Sequence, residues 1–189
     1  MRVIGGQYRS RLLKTLPGME VRPTPDRLRE ALFNVLAPIV PGSVFLDAYA
    51  GCGAVGIEAL SRGAARVVFI EKNPKAAAVI AENLATLNVR EGVAIRRGAV
   101  RVWLARLTAD IVFLDPPYAL AGEYETALGV LGENPPRLAI AQHASHSPLR
   151  KAYGNLFRFR VLRQGDNSLS FYQPAGGAGG PHGALRRAQ

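Results

Sequence analysis

Asp115, Pro116, Pro117 and Tyr118 stand together directly after the apolar run Ile111 to Leu114. Their order suits chemistry on an amino group. Pro116 biases Asp115 to extended backbone, and both rings fix φ. Pro117 lacks an N–H, so the Pro116 carbonyl has no donor beside it in the chain. A carboxylate and a carbonyl held together can accept both hydrogens of one planar exocyclic NH2 group. Tyr118 can stack on the base that carries it. The lone pair of an aryl amine is delocalised into its ring, which makes the nitrogen a poor nucleophile. Accepting both N–H bonds orients the nitrogen and favours a more pyramidal shape, so its lone pair can meet a methyl group in line with the leaving atom. Asp115 is also the nearest candidate acceptor for the proton that the alkylated nitrogen then loses. The plainer reading is a double-proline turn after a buried strand.

A methyl donor needs its own site, and the stretch Val44 to Gly56 offers one. It reads as a buried strand, a glycine turn and the first turn of a helix. Gly51, Gly53 and Gly56 form a G-x-G-x-x-G, which many nucleotide sites share. Glu71 ends the next strand, at the spacing of a carboxylate that accepts both ribose hydroxyls of an adenosine. Asp47 narrows the ligand. A carboxylate at that strand tip opposes the pyrophosphate of a dinucleotide but suits an ammonium and a sulfonium, and S-adenosylmethionine carries both. Asp47 then holds the amino group, directly or through water. Asp47, Ala50, Gly51, Gly53, Glu71, Lys72, Gly98 and Ala99 make up the candidate cofactor set. Cys52 reads as a small turn residue, since no base accompanies it.

These residues need elements to position them. Residues 22 to 36 read as a helix with Thr24 as N-cap and Pro25 at the first position. Leu28, Ala31, Leu32, Val35 and Leu36 form its apolar stripe. Arg22, Arg27 and Arg29 fall outside that stripe, as a solvated face or a substrate rim. Strands follow at Val44 to Asp47, Arg66 to Glu71, Val93 to Arg96, Ile111 to Leu114 and Leu138 to Ala141. Helices alternate with them, from the glycine turn to about Arg62, from Pro74 to about Asn88, over Val100 to Leu107 and over Tyr124 to Leu131. That alternation predicts an α/β fold with a parallel sheet and helices on both faces. Leu156 to Arg163 and Ser168 to Tyr172 read as an antiparallel hairpin closing the sheet. In such sheets the first and fourth strands flank the switch point, so the two motifs should face each other across one crevice.

The formal charge of the 189-residue chain is +10, which points to a polyanionic partner, with nucleic acid first. Residues 1 to 20 read as an N-terminal β-hairpin or arm, with Arg2, Arg9 and Arg11 among short apolar pairs. Such an arm can track phosphates and stack a base. The plainer readings are an edge hairpin with solvated charges and a generally arginine-rich proteome. Residues 21 to 173 are expected to form the catalytic domain, and the Gly, Pro and Ala-rich residues 174 to 189 read as a disordered tail. A hydrophobic content of 48% supports a real core. One cysteine excludes an internal disulfide framework, and no apolar run suits a membrane span, so a cytoplasmic location is expected.

These blocks resemble the bacterial small-subunit ribosomal RNA guanine-N2 methyltransferases, a family that methylates one guanine of 16S rRNA. The resemblance rests on Arg2-Val3-Ile4-Gly5-Gly6, Arg22-Pro23-Thr24, and Asp26-Arg27-Leu28-Arg29-Glu30-Ala31-Leu32-Phe33-Asn34. It continues in the turn through Gly56, Glu58 to Ala64, and Asp115-Pro116-Pro117-Tyr118. It covers residues 1 to about 173. It implies a Rossmann-like S-adenosylmethionine-dependent fold, with a mostly parallel seven-stranded sheet, a C-terminal antiparallel hairpin and a small N-terminal β-hairpin. It implies a flipped guanine and, as partner, 16S rRNA in a small-subunit assembly intermediate. Arg2, Arg9, Arg11, Arg22, Thr24 and Arg27 are then the candidate RNA contacts. A monomer without metal is expected. Two places depart from the family. Gly98 and Ala99 offer no polar side chain to adenine, and Gln142-His143 stands where a glutamate is frequent. Other readings compete. An amino-methyltransferase acting on DNA adenine or protein glutamine would share the corner, though no separate target-recognition domain is apparent. A non-catalytic RNA-binding assembly factor would not need Asp115 or Glu71. An NAD-dependent oxidoreductase is opposed by Asp47 and lacks a hydride-transfer site.

Overall fold

The computed structural model describes residues 1–16, 26–117 and 122–176. Arg22, Thr24, Tyr118 and residues 177–189 of the expected tail lie outside the described residues. The elements in chain order are α1 (Asp26–Leu36), β1 (Val44–Ala48), α2 (Ala54–Ser61), β2 (Arg66–Glu71), α3 (Pro74–Thr86), β3 (Val93–Arg97) and α4 (Val100–Leu104). Then come β4 (Ile111–Leu114), α5 (Gly122–Glu133), β5 (Leu138–Ala144), β6 (Ala152–Tyr153), β7 (Leu156–Gln164) and β8 (Asn167–Pro174). The strands form one sheet in the order β3-β2-β1-β4-β5-β8-β7-β6. The first five pair in parallel, and β8, β7 and β6 run antiparallel to their neighbours.

Both faces of the parallel strands are covered, so these strands are near-continuous apolar runs rather than alternating ones. Successive side chains still go to opposite faces. Phe45, Val67, Phe69 and Phe113 join α1, α2 and α3 on one face through Leu32, Phe33, Ile57, Ile80 and Leu84. Leu46, Val68, Ile70 and Leu114 meet α4 and α5 on the other, through Val100, Leu104, Leu128 and Leu131. Gly56 lets α2 press on β2, because a Cβ there would collide with the Phe69 ring. Asn73 caps α3 by accepting from the Lys75 N–H at 2.9 Å, with Pro74 at the first helical position.

Four differences from the sequence reading have physical reasons. The sheet has eight strands rather than seven, since Ala152 and Tyr153 add a short rung beside Phe157 and Leu156. Two residues are too short to show a period. α4 stops at Leu104, where the Arg106 and Leu107 N–H groups turn back to the Trp103 carbonyl. β5 runs on to Ala144 because β8 keeps pairing with it. The expected N-terminal hairpin is present as a single antiparallel bridge between Arg2 and Leu12. It is extended by Val3 N–H to Arg11 O and Leu13 N–H to Met1 O.

Arg29 needs a correction. It is neither a solvated face nor a rim, but is fully buried. Its guanidinium donates to the Arg2 carbonyl at 2.5 Å and to Asp26 at 3.0 Å, and it lies 3.8 Å from Glu58. Burial pulls its pKa down while Glu58 and Asp26 push it back up, so it stays charged. Glu58 is also fully buried, and it accepts from the Ile4 and Gly5 N–H groups at 2.7 and 2.8 Å. The N-terminal segment is thus fastened to α1 and α2 through the buried Arg29–Glu58 pair. It is fastened to α2 also through Ser61, whose carbonyl accepts from the Gln7 N–H and whose hydroxyl accepts from the Tyr8 N–H.

Candidate active site at the carboxyl ends of β1, β2 and β4

β1 lies between β2 and β4, with Ala48 beside Ile70 on one flank and Leu114 on the other. Glu71 and Asp115 are the next residues of those strands. The register therefore brings Asp47, Glu71 and Asp115 to one edge of the sheet. The chain turns sharply after β1. The Ala50 N–H donates to the Ile70 carbonyl at 3.0 Å, and the Gly53 N–H to the Ala50 carbonyl at 2.7 Å. Gly51 and Gly53 take φ values of 57° and 81°, a left-handed backbone that suits glycine. Glu71 holds this turn, accepting from the Gly51 N–H with one oxygen and from the Asn73 N–H with the other, each at 2.7 Å. Asp47 is buried and accepts from the Gly56 N–H of α2 at 2.8 Å.

Burial pushes the Asp47 carboxyl well above the usual carboxylate range, and the charges of Asp115 and Glu71 add to this. The Gly56 N–H opposes it. An edge already crowded with negative charge repels a pyrophosphate and favours a cationic ligand. The donor set therefore fits an ammonium and a sulfonium. Asp115 is half-buried, Pro116 is buried and Pro117 is exposed.

At the far end of the expected cofactor set, Gly98 has a φ of 134° and Ala99 precedes α4 in extended backbone. The Trp103 indole lies beside Gly98, within 3.3 Å of where a Cβ would stand. Its N–H donates to the Arg97 carbonyl at 3.0 Å, and Arg96 lies 5.6 Å from its ring centre. Lys72 is exposed. The arm arginines Arg2, Arg9 and Arg11 are exposed, as is Arg27 on α1. Cys52 is half-buried, and burial pushes its thiol up, away from the reactive thiolate.

The family model described as Conserved hypothetical protein 95 matches residues 1–173. The small-subunit ribosomal RNA methyltransferase D of Escherichia coli is 40% identical over 135 residues, covering 71% of this chain and 68% of its own. The chain belongs to the family of this methyltransferase D. A second member, the candidate rRNA methyltransferase YlbH of Bacillus subtilis, is 33% identical over 93% of this chain and all of its own. Among solved structures, the candidate methyltransferase YhhF of Escherichia coli superposes with a TM-score of 0.79 at 33% identity, covering 92% of this chain and 97% of that one. The fold is thus the Rossmann-like methyltransferase fold.

Within this family fold, four polar residues that the sequence reading did not single out border the site or hold its frame. Asn83 on α3 is buried, accepts from the Lys14 N–H and donates to the Lys14 and Cys52 carbonyls at 2.8, 3.1 and 3.0 Å. Glu58 anchors the arm, as described. Tyr49 follows β1 and donates its hydroxyl to Glu123 at 2.7 Å. Trp103 borders Gly98. A polar residue on the buried stripe of an apolar helix was the available signal for Glu58 and Asn83. His143, left without a role by its sequence position, is a buried crosslink. Its Nδ1 faces the Ala144 and Ser147 carbonyls at 2.9 and 3.1 Å, and its Nε2 lies 2.9 Å from the Ser170 hydroxyl. Burial lowers its pKa, so it is neutral, with Nδ1 as the donor.

Proposed function

We propose that this chain transfers a methyl group from S-adenosylmethionine to the exocyclic N2 amino group of a guanine in 16S rRNA, in the small ribosomal subunit or an assembly intermediate. Family membership supports methylation of small-subunit rRNA. One observation carries the finer reading: Asp115 leaves β4 beside the glycine turn of β1, near enough that its charge bears on Asp47. The donor turn and the amino-accepting corner share one edge.

When bound, S-adenosylmethionine supplies a methyl carbon already activated by a sulfonium. The chain's part is to bind and to orient. Gly51 and Gly53 let backbone lie against the donor, and Asp47 faces its ammonium. Glu71 spends one lone pair of each oxygen on the Gly51 and Asn73 N–H groups, which leaves a lone pair on each for the ribose hydroxyls. Asp115 and the Pro116 carbonyl accept the two N–H bonds of the flipped base, and Tyr118 stacks on it. The nitrogen would form its bond to the methyl carbon as the carbon–sulfur bond breaks and the pair returns to sulfur as a neutral thioether. The cationic nitrogen would then give up a proton to Asp115, which passes it to solvent. The arm arginines, with Arg22, Thr24 and Arg27, hold the RNA phosphates.

Asp115→Ala tests the assignment. We expect methyl transfer to small subunits lacking the modification to vanish, while the donor Kd stays within about threefold of wild type. Transfer at the wild-type rate would remove Asp115 from the mechanism.

A further inference from the structure

Tyr49 stands at an unusual place. It is the first residue after β1, between Asp47 and the glycine turn, and its φ is 66°. Among the described residues only Ser10 and Asn88 share a left-handed backbone without being glycine. Such a backbone is disfavoured for a residue with a Cβ, so its surroundings must hold it there. The ring packs against the core on the α4 and α5 face. The hydroxyl donates to Glu123 Oε2 at 2.7 Å.

Glu123 lies in the first turn of α5, where the chain comes back after the Asp-Pro-Pro-Tyr corner. The next residue, Tyr124, donates its own hydroxyl to the Gln142 carbonyl of β5 at 2.7 Å. The sheet order sets β4 between β1 and β5. The return of the chain is therefore fastened to both neighbours of the strand that carries Asp115. The β5 fastening is buried. The β1 fastening is half-buried and stands on the site's own edge. Desolvation, together with Glu123, pushes the Tyr49 hydroxyl further up from its ordinary range, so it keeps its proton and remains a donor.

We propose that Tyr49 is a positioning residue for the acceptor corner: through Glu123 it fixes where the connection from Asp115 returns to the sheet, and so where the amino group is held. The proposal rests on the guanine-methylation reading for its chemistry, but not for its geometry. It requires a hydroxyl at position 49 and an acceptor at position 123. A phenylalanine would fill the same space and leave the return of the chain fastened to β5 alone, without its fastening to β1.

The test uses Tyr49→Phe, Glu123→Ala, Glu123→Gln and the Tyr49→Phe/Glu123→Ala pair in the full chain. We expect kcat to fall roughly tenfold in Tyr49→Phe, with the donor KM and Kd within about twofold of wild type. Glu123→Ala should match it, the pair should be no worse than either, and Glu123→Gln should restore most of the rate because its amide oxygen can still accept. A wild-type kcat in Tyr49→Phe overturns the proposal. So does an additive pair, or an equal loss in donor binding, which would mark a role in the fold at large. Hydrogen exchange gives a readout that needs no activity. Tyr49→Phe should speed exchange over residues 113–127 roughly tenfold and leave residues 51–59 unchanged. Unaltered exchange over 113–127 overturns the proposal even if the wild type methylates no guanine, an outcome that would sink the functional reading alone.

Discussion

At the residue scale, the donor-binding role proposed for Asp47 sets function against stability. Its folded pKa lies above its unfolded value, first through burial and then through Asp115 and Glu71. The folded state therefore binds more protons than the unfolded state over that interval. The stability this contributes is fully present below the unfolded carboxylate pKa of about 4 and is lost as pH rises through the folded value. Asp47→Asn keeps an oxygen for the Gly56 N–H and removes the charge. We expect it to raise the melting temperature at pH values where Asp47 is ionised in the folded chain, by about 2–4 °C for each kcal/mol of strain relieved, and to weaken donor binding at the same time. A melting curve and a binding titration on one preparation check both. A cationic ligand should also pull the Asp47 pKa back down. Donor binding should then release protons at pH values between the donor-bound and donor-free pKa of Asp47, seen as a calorimetric enthalpy that varies with the ionisation enthalpy of the buffer. An enthalpy independent of buffer would contradict that role.

At the element scale, the frame of the site was legible where a period or a turn announced it. The alternation of strand and helix, the glycine turn and the double proline each appear as a local pattern, and each stands where the spacing put it. The Arg29–Glu58 pair was not legible. Arg29 falls off an apolar stripe and looks like a surface residue until a distant glutamate is folded against it. The two-residue β6 and the Trp103 contact with Gly98 are likewise tertiary facts with no local period. Glu58→Ala should leave Arg29 without its only buried carboxylate partner among the described residues, with Asp26 still paired at the surface, and cost about 3 kcal/mol. The Ile4 and Gly5 amides would lose their acceptor, so their hydrogen exchange should rise most. Protection kept at those two amides would show that the arm is held elsewhere.

At the scale of the whole molecule, charge and topology divide the work. In the function proposed above, the net charge of +10 supplies attraction that does not depend on sequence, and the edge of the sheet supplies the chemistry. Replacing Arg9 and Arg11 by Ala should weaken RNA binding and reduce the slope of log K against log salt by roughly 2 at most. A slope equal to wild type would leave those arginines as solvated charges. The sequence carried the class of reaction because an Asp-Pro-Pro-Tyr corner and a carboxylate-flanked glycine turn have few joint uses. The choice of base is set by contacts that a chain pattern does not encode. The most direct test of the account is therefore the identity of the product. Small subunits lacking the modification are incubated with the protein and S-adenosylmethionine labelled in its methyl group, and the RNA is digested to nucleosides. Label is expected in N2-methylguanosine alone. Label in N6-methyladenosine, or in no nucleoside, would contradict it.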